Sequence, residues 1–164
     1  MDGSTHRLFA ASVSIATSTA TGAPLWQAAA SAVIATASAA GWTSPDADQS
    51  WLDRAPGGHR GLTHWWGLPA LLAVAVLVYV PPEDAWALWA LLLGWSSHLV
   101  GDFVFGERPP GIPMAPWWAY AGLGLNSGGL VEKGLRWVFP VFIGWQVLVL
   151  ITGDLLLGWS PSPS

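Results

Sequence analysis

The chain has no cysteine among its 164 residues, which excludes a disulfide, a thiolate nucleophile and a zinc site of the cysteine type. Charge is nearly as scarce: charged residues make up 10% of the sequence, against about 25% in an ordinary soluble domain. The formal net charge of −4 argues against nucleic acid as a partner, because a phosphate backbone needs a basic surface. There is no internal repeat. What is present is apolar: 52% hydrophobic residues and 13 Trp, with a mean hydropathy of +0.45. This balance predicts a polytopic membrane protein with a single domain over residues 1–159 and a disordered Ser/Pro tail, 160–164.

Five segments are predicted as helices: 8–22, 25–42, 65–80, 85–105 and 137–158. The first two are rich in Ala, Ser and Thr, which suits close helix packing better than lipid contact. Gly22-Ala23-Pro24 and Pro81-Pro82-Glu83-Asp84 read as turns, and polar loops cover 43–64 and 106–135. The first segment is expected to be a retained span rather than a cleaved signal, since one Arg precedes it and it leads straight into the second. Arg7, Arg54, Arg60, Arg108, Lys133 and Arg136 all fall on the N-terminal side of this arrangement, whereas Glu83, Asp84 and Asp154 fall on the other. The positive-inside rule then puts the N-terminus and both long loops in the cytoplasm, and Trp residues near both ends of the spans fit interfacial belts. The expected fold is an all-α, polytopic membrane bundle of about five helices.

All four histidines and the best-placed acids lie at that same end. His98 and Asp102, four apart in the strongest span, share one helix face; an ionisable pair in a span is a functional candidate unless it faces water or a neighbour. His59 and His64 bracket Arg60-Gly61-Leu62-Thr63, where a Gly-containing loop can aim both rings at one point; surface or capping roles are the simpler alternative. Arg60 suits bidentate binding of a phosphate or carboxylate, or a headgroup contact. Asp46 and Asp48 sit in a Ser-Pro-Asp-x-Asp turn that can cap a helix or chelate a cation. His6 gains interest only from its company. Glu132 opens the last helix, where the helix dipole alone explains an acid. A shared purpose for these imidazoles and carboxylates is to hold a divalent metal at a membrane surface.

The strings Thr5-His6, Ser44-Pro45-Asp46-Ala47-Asp48, His59-Arg60-Gly61-Leu62-Thr63-His64 and Gly94-Trp95-Ser96-Ser97-His98-Leu99-Val100-Gly101-Asp102, followed by Gly111-Ile112-Pro113 and the Gly-rich approach to Glu132, run in the order of a known pattern. Together they resemble the YdjM-like family of inner-membrane metal-dependent hydrolases over most of the chain. Ser44 stands where the family has Leu, Trp65 where it has Ser, and Phe103-Val104-Phe105 where it has a Thr-containing stretch; none of these removes a presumed ligand, though Trp65 and the altered stretch change the substrate pocket. The resemblance implies a site of two or three metals at the cytoplasmic end, with zinc first and manganese or iron as alternatives. Its core ligands would be His59, His64, His98 and Asp102, completed by Asp46 and Asp48, with His6 and Glu132 at the periphery. Arg60 would neutralise developing charge, and Asp48 or Glu132 would take a proton from water. The ligand set is also similar to that of zinc-dependent phospholipase C, which implies a phospholipid or other phosphoester substrate drawn from membrane lipid.

Two other classes fit parts of the pattern. A metal or ion transporter would use intramembrane His and Asp, but would also need polar groups through the depth of the bilayer. A non-catalytic membrane partner protein would use the metal only structurally, with a closed ligand shell.

Overall fold

The computed structural model describes residues 3–40, 43–46, 62–106, 112–113 and 120–157. Among these are five α-helices: α1 (Gly3–Ala20), α2 (Leu25–Ala39), α3 (Gly67–Tyr79), α4 (Trp86–Phe105) and α5 (Leu130–Leu157). A single 3₁₀ turn, Leu62–His64, precedes α3, and a two-residue antiparallel pairing of Ile112–Pro113 with Tyr120–Ala121 interrupts the loop before α5.

The composition of α1 explains how a Ser/Thr-rich helix survives in apolar surroundings. Ser12, Thr17, Thr19 and Thr21 donate back to the carbonyls of Leu8, Val13, Ile15 and Thr17, at 2.8–3.0 Å, so these hydroxyls are satisfied within the helix. Gly22 ends it at φ 68°, with the Ala23 N–H returning to the Ser18 carbonyl at 2.9 Å; a side chain at 22 would strain this left-handed closure. Pro24 then starts α2, whose fixed φ suits a helix entry.

α1 packs against α2, α4 and α5; α2 also packs against α4, and α3 chiefly against α4. Small side chains make these crossings close. Ala10, Ala35 and Ala39 form one buried cluster between α1 and α2. A Cβ at Gly94 would fall on the Ala35 carbonyl and the Ser38 hydroxyl, so α4 and α2 touch backbone to backbone there. Ser38 secures the crossing by donating to the Leu91 carbonyl of α4 at 2.9 Å.

Two of the helices, over Trp86–Phe105 and Leu130–Gly153, are long and apolar enough to cross a membrane; α2 and α3 are shorter apolar helices. α5 keeps Trp137, Val141, Trp145 and Leu148 exposed, and α3 exposes Leu71, Val74, Leu77 and Val78, as helices facing hydrocarbon would. α5 begins at Leu130, seven residues before the apolar segment predicted to start at 137. The extra two turns mix charged with apolar residues, and Glu132 caps their start: it accepts the Gly128 N–H at 2.6 Å, reached through Gly128 at φ 74°.

Candidate metal centre

The bundle gathers the polar residues of four separate elements at one end. α4 holds His98 and Asp102 one turn apart, both buried. His6 comes from the first turns of α1, Asp46 from the turn after α2, and His64 from the 3₁₀ turn before α3. Asp46, His64, His98 and Asp102 each aim one ligand atom at a common point, all four atoms lying within 4.8 Å of one another.

The spacing within this group matches an ion-sized gap. His64 Nε2 and His98 Nε2 lie 3.3 and 3.4 Å from Asp46 Oδ1, and each lies 3.5 Å from Asp102 Oδ2. A tetrahedral ion with bonds of about 2.0–2.2 Å separates its ligands by about 3.3–3.5 Å. Four of the six edges therefore already have the length that a tetrahedral zinc shell requires. His98 Nε2 is buried and, among the described residues, has the two carboxylates around the gap as its only polar neighbours and no hydrogen bond of good geometry, so this nitrogen is aimed at the gap.

The orientation of His98 follows from the end of α2. The last carbonyls of a helix have no intrahelical donor, and the Ala39 carbonyl accepts from His98 Nδ1 at 2.7 Å. A carbonyl can only accept, so Nδ1 carries a proton, which leaves Nε2 as the nitrogen that would present its lone pair to a metal. The neighbouring carbonyls of Ala37 and Ala40 take the Thr43 hydroxyl at 3.1 Å and the Arg7 guanidinium at 3.3 Å. His64 is positioned in a comparable way. Its Nδ1 meets the Thr63 hydroxyl at 3.2 Å, and the Trp95 indole N–H donates to the Thr63 carbonyl at 3.1 Å, fastening the 3₁₀ turn to α4. The Leu123 and Leu125 N–H groups cap the Phe103 and Val104 carbonyls at 2.7 and 3.0 Å, which holds the last turn of α4 around Asp102.

Asp102 faces two ways. Oδ2 belongs to the group above, while Oδ1 lies 3.3 Å from His6 Nε2. The His6 ring stacks on His98 with centroids 4.0 Å apart, and its Nδ1 is buried without a hydrogen-bond partner among the described residues. His6 thus borders the four-residue group through a carboxylate suited to bridging.

Charge points to a cation as well. Two carboxylates facing neutral imidazoles in a buried setting need compensation. In the metal-free protein protons supply it. Burial pushes the Asp46 carboxyl up, but the rings of His64 and His98 outweigh that and hold it well below its usual range. Burial likewise lowers the His64 pKa, but Asp102 and Asp46 outweigh it and leave it raised. The donor set, the edge lengths and the His98 orientation fit a divalent ion. Two imidazoles and two carboxylates suit zinc and also manganese or iron.

Glu132 is fully buried, yet it is not one of the four convergent ligands. Its Oε2 accepts from Gly128 and from the Ser127 hydroxyl, and Oε1 lies 3.9 Å from Arg136 Nη2. Arg136 Nε donates to the Thr5 hydroxyl at 2.9 Å, tying α5 to α1 beside His6. Asp48, His59 and Arg60 lie outside the described residues. Trp95 and the Ala39 carbonyl join the centre without a motif role of their own, whereas Thr63 belongs to the His59–His64 string.

Comparison with curated proteins and with solved structures gives no match. The model of the YdjM inner membrane protein family matches residues 1–159, almost the whole chain, and the protein belongs to that family.

Proposed function

We propose that the protein is a membrane-bound, metal-dependent hydrolase that cleaves a phosphoester, or a similar bond of a lipid-like substrate, at the cytoplasmic face of the inner membrane. The observation that carries this reading is the buried Asp46–His64–His98–Asp102 group with ion-sized spacing. The cytoplasmic orientation, with the N-terminus inside and several spans, rests on the one-sided distribution of Arg and Lys. Zinc is the preferred ion. When bound, it supplies Lewis-acid chemistry, polarising the scissile group and making water a usable nucleophile near neutral pH.

The chain's own residues would do the rest. His64, His98 and Asp102 are buried and fix the ion from the bundle side. The Asp46 side chain is 41% exposed, so the centre opens to solvent on that side. Arg60 would hold and neutralise a phosphoryl oxygen. Asp48 or Glu132 would accept the proton from water. His59 would join the core ligands, and His6, beside the Asp102 carboxylate, would be an outer one. The test is turnover of a panel of phospholipids and soluble phosphoesters by zinc- or manganese-loaded protein, with chelated protein and Asp48→Asn alongside. The reading expects turnover that chelation abolishes and Asp48→Asn cuts by about 10²-fold or more. Full metal loading with no turnover on the panel would leave a structural metal.

A second reading, metal or ion transport, is favoured by one observation. A cavity of about 270 Å³ at the opposite end, between α1, α2 and α4, is lined partly by Ser14, Thr17, Ser18 and Ser31, with Ser14 Oγ buried and unpartnered among the described residues. Thr17 on this wall is bonded back to its own helix, which makes it a poor ion ligand, so the hydrolase reading is preferred.

A further inference from the structure

An apolar groove of about 310 Å³ lies between α1, α4 and α5, and nothing above assigns it a role. Its walls are hydrocarbon throughout: Phe9 stacks on Phe139 across it with centroids 5.5 Å apart, and Val104 and Leu135 line the sides. Leu125 and Val131, both exposed, stand at its mouth.

The groove borders the polar centre through Asp102 on α4 and the adjoining His6 on α1, and it borders the buried Glu132 on α5. On α1, Phe9 follows His6 by three residues and shares its face; on α4, Gly101 and Phe105 flank Asp102 around the helix; on α5, Leu135 and Phe139 lie on the face of the buried Glu132. A molecule whose polar part sat at the centre would therefore have hydrocarbon walls directly beside it. The occupant must be apolar, flexible and available from the side. α5, one wall of the groove, is an apolar helix of membrane-crossing length that leaves Trp137, Val138, Val141 and Trp145 exposed, in an inner membrane protein, so the medium at the opening is lipid. The volume corresponds to roughly ten water-sized groups of about 30 Å³ each, enough for part of one acyl chain and too small for a whole lipid.

We propose that this groove between α1, α4 and α5 binds one acyl chain of a membrane lipid whose polar head lies at the Asp46–His64–His98–Asp102 centre. The proposal rests on the hydrolase reading for the identity of the head, and it deepens that reading by making the substrate an acyl lipid rather than a soluble phosphoester.

The test uses the full-length protein in nanodiscs containing phosphatidylglycerol with a diazirine in one acyl chain, with cross-links mapped by mass spectrometry. Leu135→Trp and Val104→Phe fill the groove from opposite walls, and Leu148→Trp is a control on the exposed face of α5. Metal content of each variant reports that the fold and centre are intact, and either filling variant that retains metal suffices. The expected result is labelling concentrated in 100–105 and 135–139, reduced about tenfold by filling, the worth of roughly two buried methylenes, and unchanged in the control. Labelling of the groove no greater than that of the exposed face of α3 overturns the proposal. Exclusion of the label from the groove in a protein shown to be dimeric by native mass spectrometry also overturns it and assigns the groove to a second copy. The two readings fail separately: groove labelling without turnover on any phosphoester supports the acyl site and removes the hydrolase, whereas turnover without groove labelling does the reverse.

Discussion

His98 Nδ1 donates to the Ala39 carbonyl at 2.7 Å, so one hydrogen bond both closes the end of α2 and turns His98 Nε2 toward the carboxylates. His98 is thereby a packing element as well as a ligand. His98→Phe fills the space but leaves the Ala39 carbonyl buried without its donor, at a cost of about 1–3 kcal/mol. Thermal unfolding in detergent is expected to show this loss in chelated as well as metal-loaded protein. A variant as stable as wild type once both are chelated would show that the bond does not hold the two helices.

The contact of Gly94 with Ala35 and Ser38 makes a second prediction. Gly94→Val places side-chain atoms on the α2 backbone, and overpacking of this kind costs about 1–3 kcal/mol. Because His98 is one turn further along α4, the variant is expected to bind metal more weakly as well. Gly144→Ala, whose Cβ meets nothing within 4 Å, is the control and is expected to leave the unfolding temperature nearly unchanged. Equal melting of the two variants would contradict the close crossing.

Trp95 is not one of the four convergent residues, yet its indole N–H holds the Thr63 carbonyl next to His64. Trp95→Phe keeps the ring volume and removes only the donor. Metal affinity, measured by competition with a chromophoric chelator, is expected to fall about tenfold, as for other residues that orient a ligand. Unchanged affinity would leave Trp95 with a packing role alone.

The pH dependence differs with and without metal. In the metal-free protein the raised His64 pKa contributes stability that is fully present below its ordinary value of 6.5 and is lost as pH rises through the raised value. The lowered Asp46 pKa contributes stability present above its ordinary value of 3.8 and lost as pH falls through the depressed value. Chelated protein should therefore lose stability from this pair as pH climbs through the His64 titration. A metal ligand must be deprotonated, so metal-loaded protein gains stability from His64 as pH rises toward 6.5 and is level above it, where the chelated protein is losing stability. Melting curves against pH, with and without chelator, are expected to diverge as pH rises; parallel curves would contradict metal binding at His64.

Much of the centre is legible in the chain because its signals are local. The four-residue spacing of His98 and Asp102 fixes one helix face, and alternating helix directions bring the end of α2, the start of α3 and the start of α1 to the same side. The Ala/Ser/Thr composition of α1 and α2 correctly points to the close packing seen at Ala10, Ala35 and Gly94. The positioning contacts are not legible, because they join distant parts of the chain through ordinary residues: Ala39 acts through its carbonyl, and Trp95 looks like any other Trp in an apolar helix. Glu132 does open the last helix as the sequence suggests, with α5 beginning at Leu130, while the apolar segment read from hydrophobicity starts only at 137 because Glu132, Lys133 and Arg136 interrupt the first turns.

The central claim is that these residues hold a metal ion. Metal analysis of detergent-purified protein by inductively coupled plasma mass spectrometry, wild type beside His98→Ala, tests it most directly. The account predicts about one or more equivalents of zinc, manganese or iron in the wild type, with most of it lost from a variant that still elutes as folded protein. No metal in either protein after reconstitution with each ion, or equal metal in both, would contradict it.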